Sequence, residues 1–242
     1  MQLSVAMVWA SSRKQLYMTH SQLSHFHAEK GTLKSEFSKV KSRSGMLRMV
    51  KDFLYIFQFS IKRSNIKLKV NLLDNFPRKM FIDTERYLEI LLHLIVNAIK
   101  FARKVNSYIH VIISCEKITD QAKLKQGWIG FVKTEVFDNG VGIEKEKQEK
   151  LFYTFKAQQR DMTHGVGIGL STVRAVAYAL GGEVELKSQI GLGSRIMFTT
   201  PISSKMLQKM DQTTLKNQLA NSNQSPPVVL EEKQHETPLA RY

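Results

Sequence analysis

Glu89, His93, Asn97 and Lys100 follow one another at steps of four, four and three residues. Residues so spaced share one face of a helix. The residues between them are apolar: Leu88, Leu91, Leu92, Ile95, Ala98 and Ile99, with Ala102 beyond. An amide oxygen is a donor that Mg²⁺ accepts, and an ammonium is a point charge suited to phosphate. Asn97 and Lys100 are therefore candidates for holding a metal and a phosphate. The plainer reading is a solvated strip on a core helix.

Two glycine clusters carry chemistry of another kind. Asp138-Asn139-Gly140-Val141-Gly142 ends a strand-like run from Trp128 to Phe137. Asp138 can accept from an exocyclic amino group, and Gly140 and Gly142 leave a flat base room against the backbone. The same D-x-G-x-G also makes an ordinary turn. Gly165-Val166-Gly167-Ile168-Gly169-Leu170 stands where a second helix begins. Free N–H groups and the positive end of a helix attract anions there. The dinucleotide fingerprint does not fit, because Gly169 follows Gly167 by two residues and not three.

These groups need elements to position them. The polar strip lies on a helix expected over Glu85 to Ala102, with Asp83 placed to cap its start. Ile66, Leu68, Val70 and Leu72 alternate with polar residues and predict a strand. Further strands are expected at 80–82, 108–115, 128–137, 183–188 and 195–200, the last two joined by Gly191-Leu192-Gly193-Ser194. A helix is expected from Glu144 to Phe155, a loop over 156–163, and a helix opened by Gly165 to Leu170, running to Leu180 and stopped by Gly181-Gly182. Upstream, residues 1 to about 34 read as a helix stopped by Gly31. Trp9, Leu16 and Leu23 fall seven apart, with Val5, Thr19 and Phe26 on the matching positions and Ser12 weakening that series. The spacing predicts a second helix over 42–62, with Leu47, Val50, Leu54 and Phe57 on one face. Beyond 203 the chain is polar and reads as largely disordered, with one helix near 205–220.

Composition bounds the rest. With 43% hydrophobic residues in 242, the chain can bury a core. Cys115 is the one cysteine, so no disulfide framework forms within the chain, which fits a reducing compartment. The longest N-terminal apolar run, 5–10, is too short to span a membrane and lacks a basic region before it. The expectation is a cytoplasmic protein. A net charge of +15 suits polyanions such as a nucleoside triphosphate, and no nucleic-acid motif accompanies it.

Order and spacing together resemble a family. An Asn helix, then D-x-G-x-G, a Phe pair, G-x-G-x-G and G-x-G-S is similar to the ATP-binding domain of sensor histidine kinases. That domain belongs to the wider gyrase, chaperone, histidine kinase and MutL ATPase superfamily. The resemblance covers about 36–202. It implies a two-layer α/β sandwich, a mixed sheet covered by helices on one face, preceded here by an N-terminal helix. It implies ATP and Mg²⁺ as ligands, with Asn97 on the metal and Lys100 on phosphate. Asp138 would read the adenine amino group, with Gly140 and Gly142 beneath the base. Phe152 and Phe155 would anchor a lid over 156–163, and Gly165, Gly167 and Gly169 would lie on the phosphate side, with Leu170 following.

His93 departs from the pattern, since most of the family carries a second Asn there. Gyrase-like relatives have a Glu at that place to activate water, so its absence favours phosphoryl transfer to a protein over hydrolysis. His93 is a catalytic candidate beside Asn97, or else a histidine satisfied by a neighbour.

The resemblance implies the catalytic part of a histidine kinase in a two-component phosphorelay. Residues 1–35 would be part of a dimerisation helix for a homodimer or heterodimer, 36–202 the catalytic domain and 203–242 a tail. A phosphoacceptor or response-regulator protein would be its partner. His20, His25 and His27 stand in no acceptor motif, so the acceptor is expected upstream of Met1. His235-Glu236-Thr237-Pro238 lacks two residues of the motif H-E-x-x-T-P. The alternative is a nucleotide-binding pseudokinase that regulates an intact kinase.

Overall fold

A computed structural model describes residues 2–73, 76–77, 79–103, 105–119, 127–148, 151 and 169–203. The chain opens with a long helix, α1 (Gln2–Glu29), which Gly31 ends in a left-handed conformation. A short strand β1 (Ser38–Lys41) leads into α2 (Ser42–Leu54), a 3₁₀ turn (Tyr55–Phe57) and α3 (Gln58–Arg63). Then come β2 (Ile66–Leu72), β3 (Lys79–Ile82) and α4 (Thr84–Lys100). After these follow β4 (Ser107–Lys117), β5 (Trp128–Asp138) and a one-turn helix α5 (Lys145–Gln148). Finally α6 (Gly169–Ala179) precedes β6 (Val184–Gln189) and β7 (Gly193–Ser203).

The strands form one mixed sheet in the order β1-β3-β7-β5-β4-β2, with β6 also on β7. β2 and β4 run parallel and the other pairs antiparallel. Alternation sets its faces. Val70, Val111, Val136, Ile196 and Leu186 form one row across the sheet, and Leu72, Ile113, Thr134, Phe198 and Val184 the next. α4 lies against this apolar side: Ile90, Leu91, Leu94 and Ile95 are buried in the core that Val111, Ile113, Val136 and Phe198 also build. Tyr87 packs on Phe198 and shares a hydrogen bond of 2.9 Å with Thr134. Cys115 is buried on the same side, and burial pushes its thiol up to about 12.

The six expected strands are present, and β1 adds a seventh that pairs with β3. The helix expected over 42–62 is interrupted at Tyr55–Phe57. Aromatic packing accounts for the faces kept: Phe53 meets Tyr17 of α1 edge-on at 5.4 Å and Phe57 at 5.8 Å. α1 itself is part of the molecule's packing, because Ala28 belongs to the common core and Tyr17 and Met18 lie against it.

Candidate functional site

Asp83 starts the central helix as its N-cap. Its Oδ1 accepts from Arg86 N at 3.0 Å and its Oδ2 from Glu36 N at 2.9 Å. The helix that follows does not keep its polar strip on one surface. Each step of four residues advances about 40° around an α-helix. Between Glu89 and Asn97 the strip therefore winds through about 80°. Glu89 and His93 face α1, and Asn97 faces a cavity. Lys100 is exposed, its Nζ 5.1 Å from the centre of the Phe101 ring.

The cavity, of about 430 Å³, lies between α4, the end of β5 and the turn joining β6 to β7. α4 lines it with Leu94, Asn97 and Ala98, and Phe101 at the helix's C-cap continues the same side. Val136, Ile143, Leu170 and Ile196 add apolar wall, and Asp138, Glu144, Ser194 and Lys147 add polar groups. Period two puts Asp138 on the covered face with Val132, Thr134 and Val136, so its carboxylate enters the cavity from the sheet side. Burial pushes its carboxyl up, while N–H groups of Gly140 and Ser194 pull it back. Oδ1 accepts from Gly140 N at 2.8 Å.

The D-x-G-x-G loop is clamped on both sides. Val141 N donates to Phe101 O, and Gly191 N to Val141 O. A Cβ on Gly140 would stand 2.5 Å from Phe101 O. Gly142 has φ +75°, and a Cβ there would stand 2.0 Å from Gln189 O. Both positions require glycine for close backbone approach. Asn139, unassigned by sequence reasoning, accepts from Tyr108 N and donates to Asn106 O, each at 2.8 Å. Ser188 and Gln148 tie the loop to β6: Ile143 N donates to Ser188 Oγ, and Gln148 Nε2 to both Ile143 O and Ser188 O. Ser194 was visible in sequence only as the end of G-x-G-S. Lys147 carried no signal that set it apart from other surface lysines.

His93 is not among the residues lining the cavity. Its Nε2 is hydrogen-bonded to Ser21 Oγ of α1. Burial, reinforced by His25, lowers its pKa to about 4. Gly169 opens α6 beside both His93 and Asn97, and Leu170 follows into the cavity wall. Phe152, Phe155, Gly165, Gly167 and the loop 156–163 lie outside the described residues, as do 204–242 with His235 and the helix expected near 205–220. So does most of the helix expected over 144–155, beyond its turn at 145–148.

A largely apolar slot with the Asp138 carboxylate on its floor fits a flat base with an amino group. An amide oxygen on the same wall fits a hard cation. Residues 82–204 match the family described as histidine kinase-, DNA gyrase B-, and HSP90-like ATPase. The adaptive-response sensory kinase SasA of Prochlorococcus marinus (strain MIT 9301) is 33% identical over 140 residues. That match covers 57% of this chain and 34% of the relative, so the chain spans about a third of SasA. Among solved structures, the catalytic domain of histidine kinase ThkA superposes with a TM-score of 0.53 at 23% identity, covering 69% of this chain and 95% of that one. Full-length ShkA, in complex with AMPPNP, gives 0.59 at 20% identity over 81% of this chain and 38% of its own. The family match takes in more than half of the chain and every described wall of the cavity, and the chain belongs to the histidine kinase-, DNA gyrase B- and HSP90-like ATPases.

Proposed function

We propose that this chain is the ATP-binding catalytic part of a histidine kinase, moving the γ-phosphoryl group of ATP to a protein histidine in a phosphorelay. The observation that carries the reading is Asp138, half-buried on the floor of an apolar cavity with Asn97 in its wall. In this reading Asp138 accepts from the adenine amino group and Leu94, Ala98, Val136 and Ile196 hold the ring. Asn97 supplies an oxygen to Mg²⁺, and Lys100 meets phosphate from the helix end. Gly140 and Gly142 shape the loop under the base. Phe152 and Phe155 anchor a lid, and Gly165, Gly167 and Gly169 surround the phosphates with Leu170 behind them. Bound there, Mg²⁺ would neutralise phosphate charge, and the protein's part is positioning.

The outward stripe of α1 supports pairing with a second helix. Leu16, Leu23 and Phe26 are 59%, 58% and 49% exposed, while Ser21, Ser24, His25 and Ala28 on the other side are buried. We read residues 1–35 as the dimerising part, 36–202 as the catalytic domain and 203–242 as a tail. Partners would be a second copy or an intact kinase, and a phosphoacceptor or response regulator. Among the described residues no helix is long and apolar enough to cross a membrane. A cytoplasmic setting is part of this reading, because the chain's one cysteine suits a reducing compartment.

Calorimetry tests the nucleotide reading. The chain should bind ATP, and Asn97→Ala should weaken binding with Mg²⁺ present more than in its absence. Equal losses would make Asn97 a structural residue. A supplied acceptor domain and labelled ATP test the transfer, read as acid-labile label on the acceptor. A second reading, a nucleotide-binding regulator without transfer, is favoured by the placement of His93 against α1. Bound ATP with no label on any acceptor would select it.

A further inference from the structure

Ser21 and His93 meet across the contact of α1 with α4, 72 residues apart in the chain. They are 1% and 4% exposed. Ser21 Oγ engages Nε2 of the ring. The other nitrogen is turned toward the head of α6: a Cβ built on Gly169 would lie 3.5 Å from His93 Nδ1 and 3.5 Å from Asn97 Nδ2. One imidazole thus spans from α1 to the place where Asn97 and Gly169 come together.

The surroundings fix the end of the ring that α1 holds. Arg86 Nη1 donates to Ser24 Oγ at 2.6 Å and to Glu89 Oε2 at 3.1 Å. Ser24 Oγ donates to His20 O at 2.9 Å. These bonds set the register of α1 against α4, one helical turn from Ser21. The ring is neutral near neutral pH, since burial lowers its pKa to about 4. A neutral imidazole carries its proton on one nitrogen, and the partner of the other decides which.

We propose that Ser21 is a positioning residue for the nucleotide site: its hydroxyl oxygen accepts from Nε2–H of His93 and so fixes the ring's orientation and tautomer, with a bare Nδ1 presented to the phosphate end at Gly169 and Asn97. This rests on the reading of Asn97 and Gly169 as that end. Through Ser21, α1 reaches the site without lining it, and displacement of α1 frees the ring.

Nitrogen-15 spectra of the full chain with labelled histidine, near neutral pH, test the hold. The parent should show one protonated and one bare ring nitrogen for His93, well separated. Ser21→Ala should draw the two resonances together, because the ring then exchanges between tautomers. Ser21→Cys, similar in size and a weaker partner, should fall between. Identical His93 spectra in parent and Ser21→Ala would overturn the proposal. So would general loss of amide protection along α1 in Ser21→Ala, because Ser21 would then be holding the helix and not the ring.

A second arm adds Mg²⁺ and a non-hydrolysable ATP analogue, with binding followed by calorimetry. The Nδ1 resonance of the parent should move, and that movement should be lost in Ser21→Ala. Binding that leaves His93 of the parent unmoved overturns the proposal while the nucleotide reading stands. No binding at all removes the nucleotide reading and the proposal together.

Discussion

Asp138 keeps its place through its own loop. Gly140 N and Ser194 N donate to the carboxylate, and the side chain enters a largely apolar recess. Asp138→Asn should weaken ATP binding, because a hydrogen bond to a charged acceptor is worth roughly 1.5–3 kcal/mol, about ten- to a hundred-fold. Equal affinities by calorimetry would end the adenine assignment. His93 makes a prediction about pH. Its pKa falls from 6.5 to about 4 on burial. The folded state therefore disfavours the charged ring, and the unfolded chain takes up the proton first as pH drops. His93 should cost no stability above about pH 6.5 and roughly 3 kcal/mol once pH has fallen through about 4. Burial raises Glu89 and Asp138, whose effect runs the other way. The measurement is accordingly the difference between the parent and His93→Gln in denaturant midpoint across that window. A difference that stays flat would mean the ring is not buried as a neutral group.

At the scale of elements, α4 is fixed at its start by one side chain. Asp83, 3% exposed, accepts from Arg86 N inside the helix and from Glu36 N in the segment that follows α1. Asp83→Ala removes the cap and leaves two buried-side donors unpaired, a loss of about 2 kcal/mol. Asp83→Asn should recover only part of it, because its one amide oxygen can accept from Arg86 N while its NH₂ then faces the Glu36 N–H and cannot accept. Thermal melts decide the matter, and an unchanged midpoint in Asp83→Ala would show that the cap is dispensable. The cap and the strand alternation were readable because both are local: a carboxylate three residues before a free N–H, and apolar residues two apart. β1 was not readable. Ser38-Lys39-Val40-Lys41 has a single apolar residue and becomes a strand by pairing with β3, whose own sequence lies some forty residues on. The break at Tyr55 has a similar origin, in packing of Phe53 between Tyr17 and Phe57.

For the whole molecule, α1 has two working faces, one closed against the domain and one open. Leu16→Asp combined with Leu23→Asp changes only exposed positions. Sedimentation should give the parent a mass near twice 27.8 kDa and the double variant that of one chain, with the melting temperature unmoved. A parent that sediments as one chain would remove the helical seam from consideration. The sequence by itself determined six of the strands, the capped helix and the D-x-G-x-G turn, because each rests on a pattern within a few residues, and the order of such patterns carried the family resemblance. It placed Asp138 at the end of a strand, and the pairing of that strand put the side chain on the covered face. It left the polar strip of α4 undivided, as four side chains of like local setting. Only the tertiary structure decided that Asn97 meets the cavity, Lys100 solvent, and Glu89 and His93 the first helix. The physical reason is that a helix presents every direction in turn, and what lies in each is supplied by distant chain: Ser21 to His93 across 72 residues, and the β6–β7 turn across the cavity from Asn97.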